Sequence, residues 1–350
     1  MTGSHQEHHK SKIQSWLFAN ATVTQRGAVL LGDSVACDAF DSKRPLRVVT
    51  HAHADHLCGL RSSLRKCESV LMTRPTKDLI EIIEGPNAFV NGNVKTLDYG
   101  KPFCFGEEQI TLAYADHIVG AAQVLVEDKN GGRIVYTGDF RIDGTPVLEC
   151  DTLVVEATYG NPEFNRNFNI DIEDLLVSMV EKRLRTGTVY IFGYHGKLQE
   201  VMQILSNANV RVPFIMPERV YSLSKVCERH GMNLGCLTPS TREEAKKMLS
   251  ENLPCVAFYH MNSRGMVGFD AHRICVSGWE FRSACRQVGK KEHMVALSDH
   301  SDFNGLIEYV KRSKPKQVIT DNFRVSHGEI LAREIQKRLG IPAKAMPSRK

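Results

Sequence analysis

The sequence predicts an α/β protein in two parts. Three observations carry this. Residues 15–160 alternate short apolar runs with turn signals and two helical patterns. Residues 171–276 alternate apolar strands with amphipathic helices, the pattern of a largely parallel sheet. Several of the strands also end abruptly in clusters of His and Asp, where a sheet scaffold presents ligands.

In chain order, turn signals at Gln25-Arg-Gly27 and Gly32-Asp33 break the first strands, and Leu46–Thr50 reads as a buried strand. Helical patterns follow near Leu57–Leu64 and Thr76–Gly85. Gln109–His117 alternates, Asn130-Gly-Gly132 turns the chain, and Arg133–Asp139 forms another strand. Asp171–Leu184 reads as a helix with acidic residues at its start, which suit the helix dipole. Then come strand Thr188–Phe192, helix Leu198–Leu205, strand Pro213–Met216, helices Val220–His230 and Arg242–Glu251, and strands Cys255–Phe258 and Arg273–Val276. Lys316–Thr320 is a late strand, and Gly328–Leu339 a late helix with Ser326 as its expected N-cap.

His51-Ala-His53-Ala-Asp55-His56 follows the Leu46–Thr50 strand. Strand alternation puts His51 and His53 on one side, while Asp55 and His56 turn into the next loop. One metal can take the first pair and a second metal the other. His117 and Asp139 close two later strands. Asp139 has two oxygens and can bridge cations roughly 3.5–4 Å apart; such a pair acidifies water toward neutral pH and supplies a nucleophile for attack on phosphorus.

The order HxHxDH, His117, Thr137-Gly-Asp139 resembles the metallo-β-lactamase superfamily. Val154-Val-Glu156-Ala-Thr-Tyr-Gly160, Tyr194-His-Gly-Lys-Leu-Gln-Glu200, Val276-Ser-Gly-Trp279 and Ala296-Leu-Ser-Asp-His300-Ser-Asp302 are similar to motifs of its β-CASP nucleases. The layout looks most like the archaeal mRNA 3′-end processing-factor-like and ligase-associated exonuclease groups. The resemblance implies an αββα sandwich with an inserted β-CASP α/β domain. Its boundaries would be a flexible N-terminal arm (1–12), a first sandwich segment (13–170), the insert (171–287) and a returning segment (288–350). It also implies two zinc ions: His51, His53 and His117 on the first, Asp55 and His56 on the second, Asp139 between them. Asp38 would orient the ligand loop, unless it is a simple turn residue. Asp55 would also serve the chemistry, and Glu156 and His300 would form a carboxylate–imidazole pair that donates a proton to the leaving oxygen.

One position departs from that pattern. RNA-acting members carry a histidine at the end of the next strand, as a further ligand of the second metal. Here the strand ends at Asp321-Asn322, and the nearest histidine, His327 in Ser326-His327-Gly328-Glu329, lies seven residues past Thr320, the last residue of the apolar run. Position favours Asp321; residue type favours His327.

At 350 residues, 42% hydrophobic and 24% charged, the chain can bury a large core, and its composition is that of a soluble globular protein. No apolar run approaches 18 residues, no signal-peptide core opens the chain, and the ten cysteines show no CxxC spacing. A cytoplasmic protein without a membrane partner is expected. A net charge of +5 permits nucleic-acid binding without proving it. Lys290, Lys291, Lys311, Arg312, Lys314 and Lys316 would grip phosphates if they lined the site, and otherwise form solvated ends. The resemblance implies hydrolysis of nucleic-acid phosphodiesters, with single-stranded RNA favoured over DNA, and allows a homodimer. A DNA-repair exonuclease and a weakly active or inactive scaffold subunit of a processing complex are the alternatives.

Overall fold

The computed structural model describes residues 20–90 and 92–348. The expected arm over 1–12 lies outside them. The chain divides into two compact units, one made of the residues up to Phe164 together with those from His300 onward, the other of Asn165–Asp299.

The first unit opens with a mixed sheet whose strands lie side by side in chain order: β1 (Ala21–Val23), β2 (Val29–Leu31), β3 (Val35–Cys37), β4 (Leu46–Val48), β5 (Ser69–Met72) and β6 (Val94–Thr96). From β3 to β6 the pairing is parallel. Strands β3, β4 and β5 are buried along their whole length, as expected for inner parallel strands covered on both faces. Two helices follow β4 and β5: α1 (Leu60–Lys66) and α2 (Arg74–Glu84). Thr73 caps α2 by accepting from Thr76 N, and Pro75 occupies its first turn, where no backbone donor is lost.

A second sheet begins with β7 (Pro102–Phe105), β8 (Glu108–Tyr114), β9 (Ala122–Glu127), β10 (Arg133–Tyr136) and β11 (Thr152–Val155). The inner faces of the two sheets meet in one core. Val29, Leu31, Leu46 and Val48 of the first pack with Ile110, Leu112, Val124, Tyr136 and Val154 of the second.

The second unit is a single sheet. Its strands are β12 (Val189–Gly193), β13 (Phe214–Met216), β14 (Leu237–Pro239), β15 (Val256–His260), β16 (His272–Val276), β17 (Cys285–Gly289) and β18 (Glu292–Val295), in the order β14-β13-β15-β12-β16-β18-β17. Every pair is parallel except β17–β18. Its helices are α3 (Ile172–Leu184), α4 (Lys197–Asn207), α5 (Glu218–Arg229) and α6 (Glu243–Ser250). Asp171 caps α3 through Glu173 N and Asp174 N. β18 pairs with β16, Ile274 opposite His293 and Val276 opposite Val295, so by its contacts the stretch up to Asp299 packs with the second unit.

After His300 the chain forms α7 (Phe303–Ser313), β19 (Gln317–Asp321), α8 (Gly328–Leu339) and β20 (Ala343–Met346). β19 pairs in parallel with β11, and β20 with β19, completing the second sheet. α7 packs on β11 and α8 on β19 and β20, so helix, sheet, sheet and helix layers stack in the first unit. The N-cap of α8 is His327, which makes no side-chain capping bond, rather than the expected Ser326.

Candidate metal centre

The strands that carry the site end on one side of the sandwich. Asp38 follows β3 and His51 follows β4, two neighbouring parallel strands; in the second sheet His117, Asp139, Glu156 and Asp321 stand at the ends of β8, β10, β11 and β19. The two sheets are stitched together there, because Ala122 N donates to the Thr50 carbonyl (3.0 Å). Gly138, at φ +56°, turns the chain so that Asp139 enters the site. A side chain there would meet the Ala122 carbonyl and Thr50.

The imidazoles converge. His53 Nδ1 lies 3.1 Å from His51 Nε2 and 3.0 Å from His117 Nε2. Asp139 Oδ2 lies 3.7 Å from His51 Nε2, 3.9 Å from His117 Nε2 and 3.2 Å from His56 Nε2. His56 Nε2 is also 3.4 Å from Asp55 Oδ2. His51, His53, His117 and Asp139 thus form one group of ligand atoms close enough to share a cation, and Asp139, Glu156 and His300 another.

Asp38 sets the direction of two of these rings. Its Oδ2 accepts from His56 Nδ1 at 2.7 Å and from Thr50 Oγ1 at 2.8 Å, and its Oδ1 accepts from Thr50 N at 2.9 Å. Thr50 Oγ1, its proton given to Asp38, accepts from His51 Nδ1 (3.0 Å). Both rings therefore turn an Nε2 toward Asp139, the arrangement by which neighbouring carboxylates fix metal-binding imidazoles. Asp38 is fully buried at φ +59°, a conformation that Asp tolerates better than most residues, so it is both turn residue and orienter.

Electrostatics prepare the donors. Burial, and then the charges of His56 and the other imidazoles, hold His51 well below its usual pKa, which leaves it neutral and able to donate a lone pair. Burial alone would raise Asp139, but His56 outweighs it, aided by His300 and His51, and keeps the carboxylate ionised. Burial would lower His56; Asp139 and Asp38 reverse that and hold it well above the usual imidazole range.

The residues fit a divalent transition metal. His56 Nε2 is fully buried and makes no hydrogen bond, although two carboxylates lie near it. Three imidazole nitrogens pack at 3.0–3.1 Å where a shared cation would relieve their crowding.

Beside this group, His300 Nδ1 donates to Glu156 Oε1 at 3.0 Å, leaving Nε2 4.0 Å from Asp139 Oδ2. Glu156 is buried, and its other oxygen accepts from Thr158 N. Ser301 N and Oγ both donate to the Phe140 carbonyl, and Ile142 N donates to Ser301 Oγ, fastening His300 to the chain just past Asp139.

Neither candidate for the further ligand joins these groups among the described residues. Asp321 accepts from Arg324 Nη1 at 2.5 Å and from Phe323 N at 2.9 Å. His327 Nδ1 donates to the Thr158 carbonyl, and its ring lies edge-on to Phe164. The lysines near β19 are also misplaced for gripping phosphate at the centre. Lys314 pairs with Glu149 and Lys316 with Asp151, all at the start of β19 and β11, the opposite end from Asp321 and Glu156.

Sequence reasoning missed Arg47. Its fully buried guanidinium donates to the His56 (2.8 Å) and Cys58 (3.2 Å) carbonyls and so holds the ligand loop from beneath; burial pulls its pKa down to about 10. Position 47 reads as an alternating polar residue within an apolar strand, and no local signal marks it as an anchor. In the second unit, Lys197 Nζ lies 2.5 Å from Asp299 Oδ1, joining two of the motifs read separately in the sequence.

Comparisons with known proteins agree with this geometry. A family described as "Beta-lactamase superfamily domain" matches residues 41–192, and one described as "Zn-dependent metallo-hydrolase RNA specificity domain" matches 288–347. An uncharacterized protein in the lig 3′ region of Acidianus ambivalens is 38% identical over 138 residues, 39% of this chain and 99% of that one. An RNase J-like protein of Methanocaldococcus jannaschii is 24% identical over 91% of this chain and 92% of its own length. A probable DNA ligase of Opitutus terrae is 26% identical over 80% of this chain, which spans only 27% of the ligase. Among the described residues no helix is long and apolar enough to cross a membrane. With a sandwich whose strand ends gather His51, His53, His56, His117 and Asp139, an inserted α/β unit and these matches, the chain belongs to the metallo-β-lactamase superfamily of metal-dependent hydrolases, in its β-CASP nuclease branch.

Proposed function

We propose that this protein is a two-zinc phosphodiesterase that cuts nucleic acid, with single-stranded RNA its preferred substrate. The observation that carries the reading is the Glu156–His300 pair beside the histidine cluster. Hydrolysis of a small, good leaving group needs no such acid, whereas the sugar oxygen of a phosphodiester does. His51, His53 and His117 would hold one ion, Asp55 and His56 the other, and Asp139 both. Bound zinc supplies Lewis acidity there, acidifying water and offsetting charge on the phosphoryl oxygens. The protein's own part follows from its hydrogen bonds. Asp38 and Thr50 keep the His51 and His56 rings aimed inward, and Glu156 holds the His300 imidazolium so that Nε2–H can protonate the departing oxygen. The convergence of His51, His53, His117 and Asp139 speaks against an inactive scaffold.

RNA is favoured by the description of the family matching residues 288–347 and by the RNase J-like relative. A DNA-directed nuclease is the second reading. It is favoured by the likeness to a probable DNA ligase over most of this chain and by a strand end at β19 that carries Asp321 where RNA-acting members carry histidine. Zinc-loaded protein incubated with end-labelled single-stranded RNA and DNA separates them. Preferential shortening of RNA supports the first reading, degradation of DNA alone supports the second, and no cleavage of either sinks both. Product lengths give endo- or exonucleolytic action.

A further inference from the structure

In the second unit, β15, β12 and β16 are adjacent parallel strands, and each ends in an aromatic ring. His260 closes β15 and stands in register with Gly193 of β12; Tyr194 follows Gly193, and its ring meets that of His260 at 5.0 Å, nearly perpendicular. Trp279 follows β16 after the turn Ser277-Gly278. Tyr194 is 52% and Trp279 55% exposed, an unusual amount for such rings at neighbouring strand ends.

The rings are presented by fixed backbone. Trp279 N donates to Ser277 Oγ (3.1 Å), and the Gly278 carbonyl accepts from Arg166. Glu280 is buried and accepts from Arg282 N (3.0 Å) and Arg286 Nε (2.8 Å), which pins the chain on the other side of the tryptophan. A side chain at Gly193 would come within 2.9 Å of Val276 Cγ2, so glycine lets β12 and β16 close up just below the rings. His260 Nδ1 accepts from Asn262 N, so the ring is held as well. Positive charge is interleaved: Arg166 stacks on Phe281 at 4.6 Å, Phe281 lies beside Trp279, and Arg219 and Arg282 are exposed.

The carboxyl ends of parallel strands are where open α/β sheets bind ligands. Flat rings among arginines match the chemistry of unstacked bases joined by phosphates, because every base offers a π-face and stacking is tolerant of sequence. We propose that Tyr194, His260 and Trp279 form a stacking platform for bases of a single-stranded nucleic acid. This deepens the nuclease reading and rests on it for the choice of ligand.

The test is binding without turnover. Full-length protein in chelator is titrated with a fluorescent single-stranded oligonucleotide and with an abasic oligonucleotide of equal length and charge. Tyr194→Ala and Trp279→Ala should each weaken binding of the base-containing strand by roughly 10-fold, within the range for losing one stacked base. Binding of the abasic strand should stay within about 2-fold, and Trp279→Phe should retain most of the affinity. Equal losses on both strands, or no loss, would overturn the platform. Wild-type protein and the same variants, zinc-loaded, are also assayed on a nitrophenyl phosphodiester. Failure of all proteins on that substrate would count against the metal-site reading instead, while the binding data still decide the platform.

Discussion

Asp321 and Arg324 form a buried ion pair just beyond the end of β19, Nη1 to Oδ2 at 2.5 Å, where a further metal ligand was expected. Burial opposes the charge on Arg324, but Tyr136, Asp321, Asp38 and Asp139 around it keep it protonated. The carboxylate is therefore engaged in neutralising a cation of the protein itself. Asp321→Ala should leave that guanidinium buried and unpaired and destabilise the fold by about 3–5 kcal/mol. Denaturant melts should show this, while zinc content at saturation stays at the wild-type level. A lowered zinc content with unchanged stability would make Asp321 a ligand after all.

Protein purified without chelator should carry close to two zinc ions, by elemental analysis. Removing them should lower the melting temperature, since crowded donor nitrogens lose the cation that joins them. His56 is held protonated by Asp139 and Asp38, so filling its site must displace a proton. Zinc uptake should accordingly weaken as pH falls, and calorimetric titrations in buffers of different ionisation heat should reveal proton release. Uptake independent of pH would contradict this account of His56.

Asp139→Ala should abolish hydrolysis and lower metal content, because the residue lies within 4.0 Å of His51, His56, His117 and His300. Circular dichroism should report an intact fold, since Asp139 sits at a strand end and not in the core. Asp55→Ala should also lose activity, with a smaller loss of metal. Asp55 is more exposed, its side chain 59% accessible, and close to His56 rather than to the three-histidine group. Wild-type rates in either variant would remove that residue from the centre.

His300→Ala should slow cleavage of nucleic acid by roughly 10²–10⁴-fold, the usual range for losing a general acid. The deficit should shrink on a nitrophenyl phosphodiester, whose leaving group departs without a proton. Glu156→Gln should show the same contrast, because it weakens the charge that holds the imidazolium. A deficit of one size on both substrates would reassign the pair to organising the metal ligands.

Much of this was legible in the sequence because strands of period two and helices of period 3.6 advertise themselves. The helix over Gly328–Leu339 and the ligand run His51–His56 are such cases. The strand β18 was not legible: Glu292-His-Met-Val295 is too short and mixed to announce which sheet it joins, and only its pairing with β16 decides it. Arg47 and Arg324 were hidden for another reason. Arg47 is held by backbone carbonyls of the loop after its strand, at His56 and Cys58, and Arg324 also reaches the distant Gly27 carbonyl, and no spacing rule reports such backbone partners. The basic residues at 311–316 left two readings open, a phosphate grip or a solvated end, because a charge run says nothing about which end of its strand faces a site; Lys314 and Lys316 form exposed pairs with Glu149 and Asp151.

The first unit is assembled from two stretches of chain separated by the whole of Asn165–Asp299. During synthesis, all of the histidine cluster and Asp139 emerge before His300 exists. Until β19 arrives, β11 has no neighbour on one side and presents an open edge with unpaired backbone groups. A ribosome-bound chain shorter than 300 residues thus carries the metal donors without the proton donor. A chain cut before His300 should therefore be a metal-binding but aggregation-prone species rather than a slow enzyme.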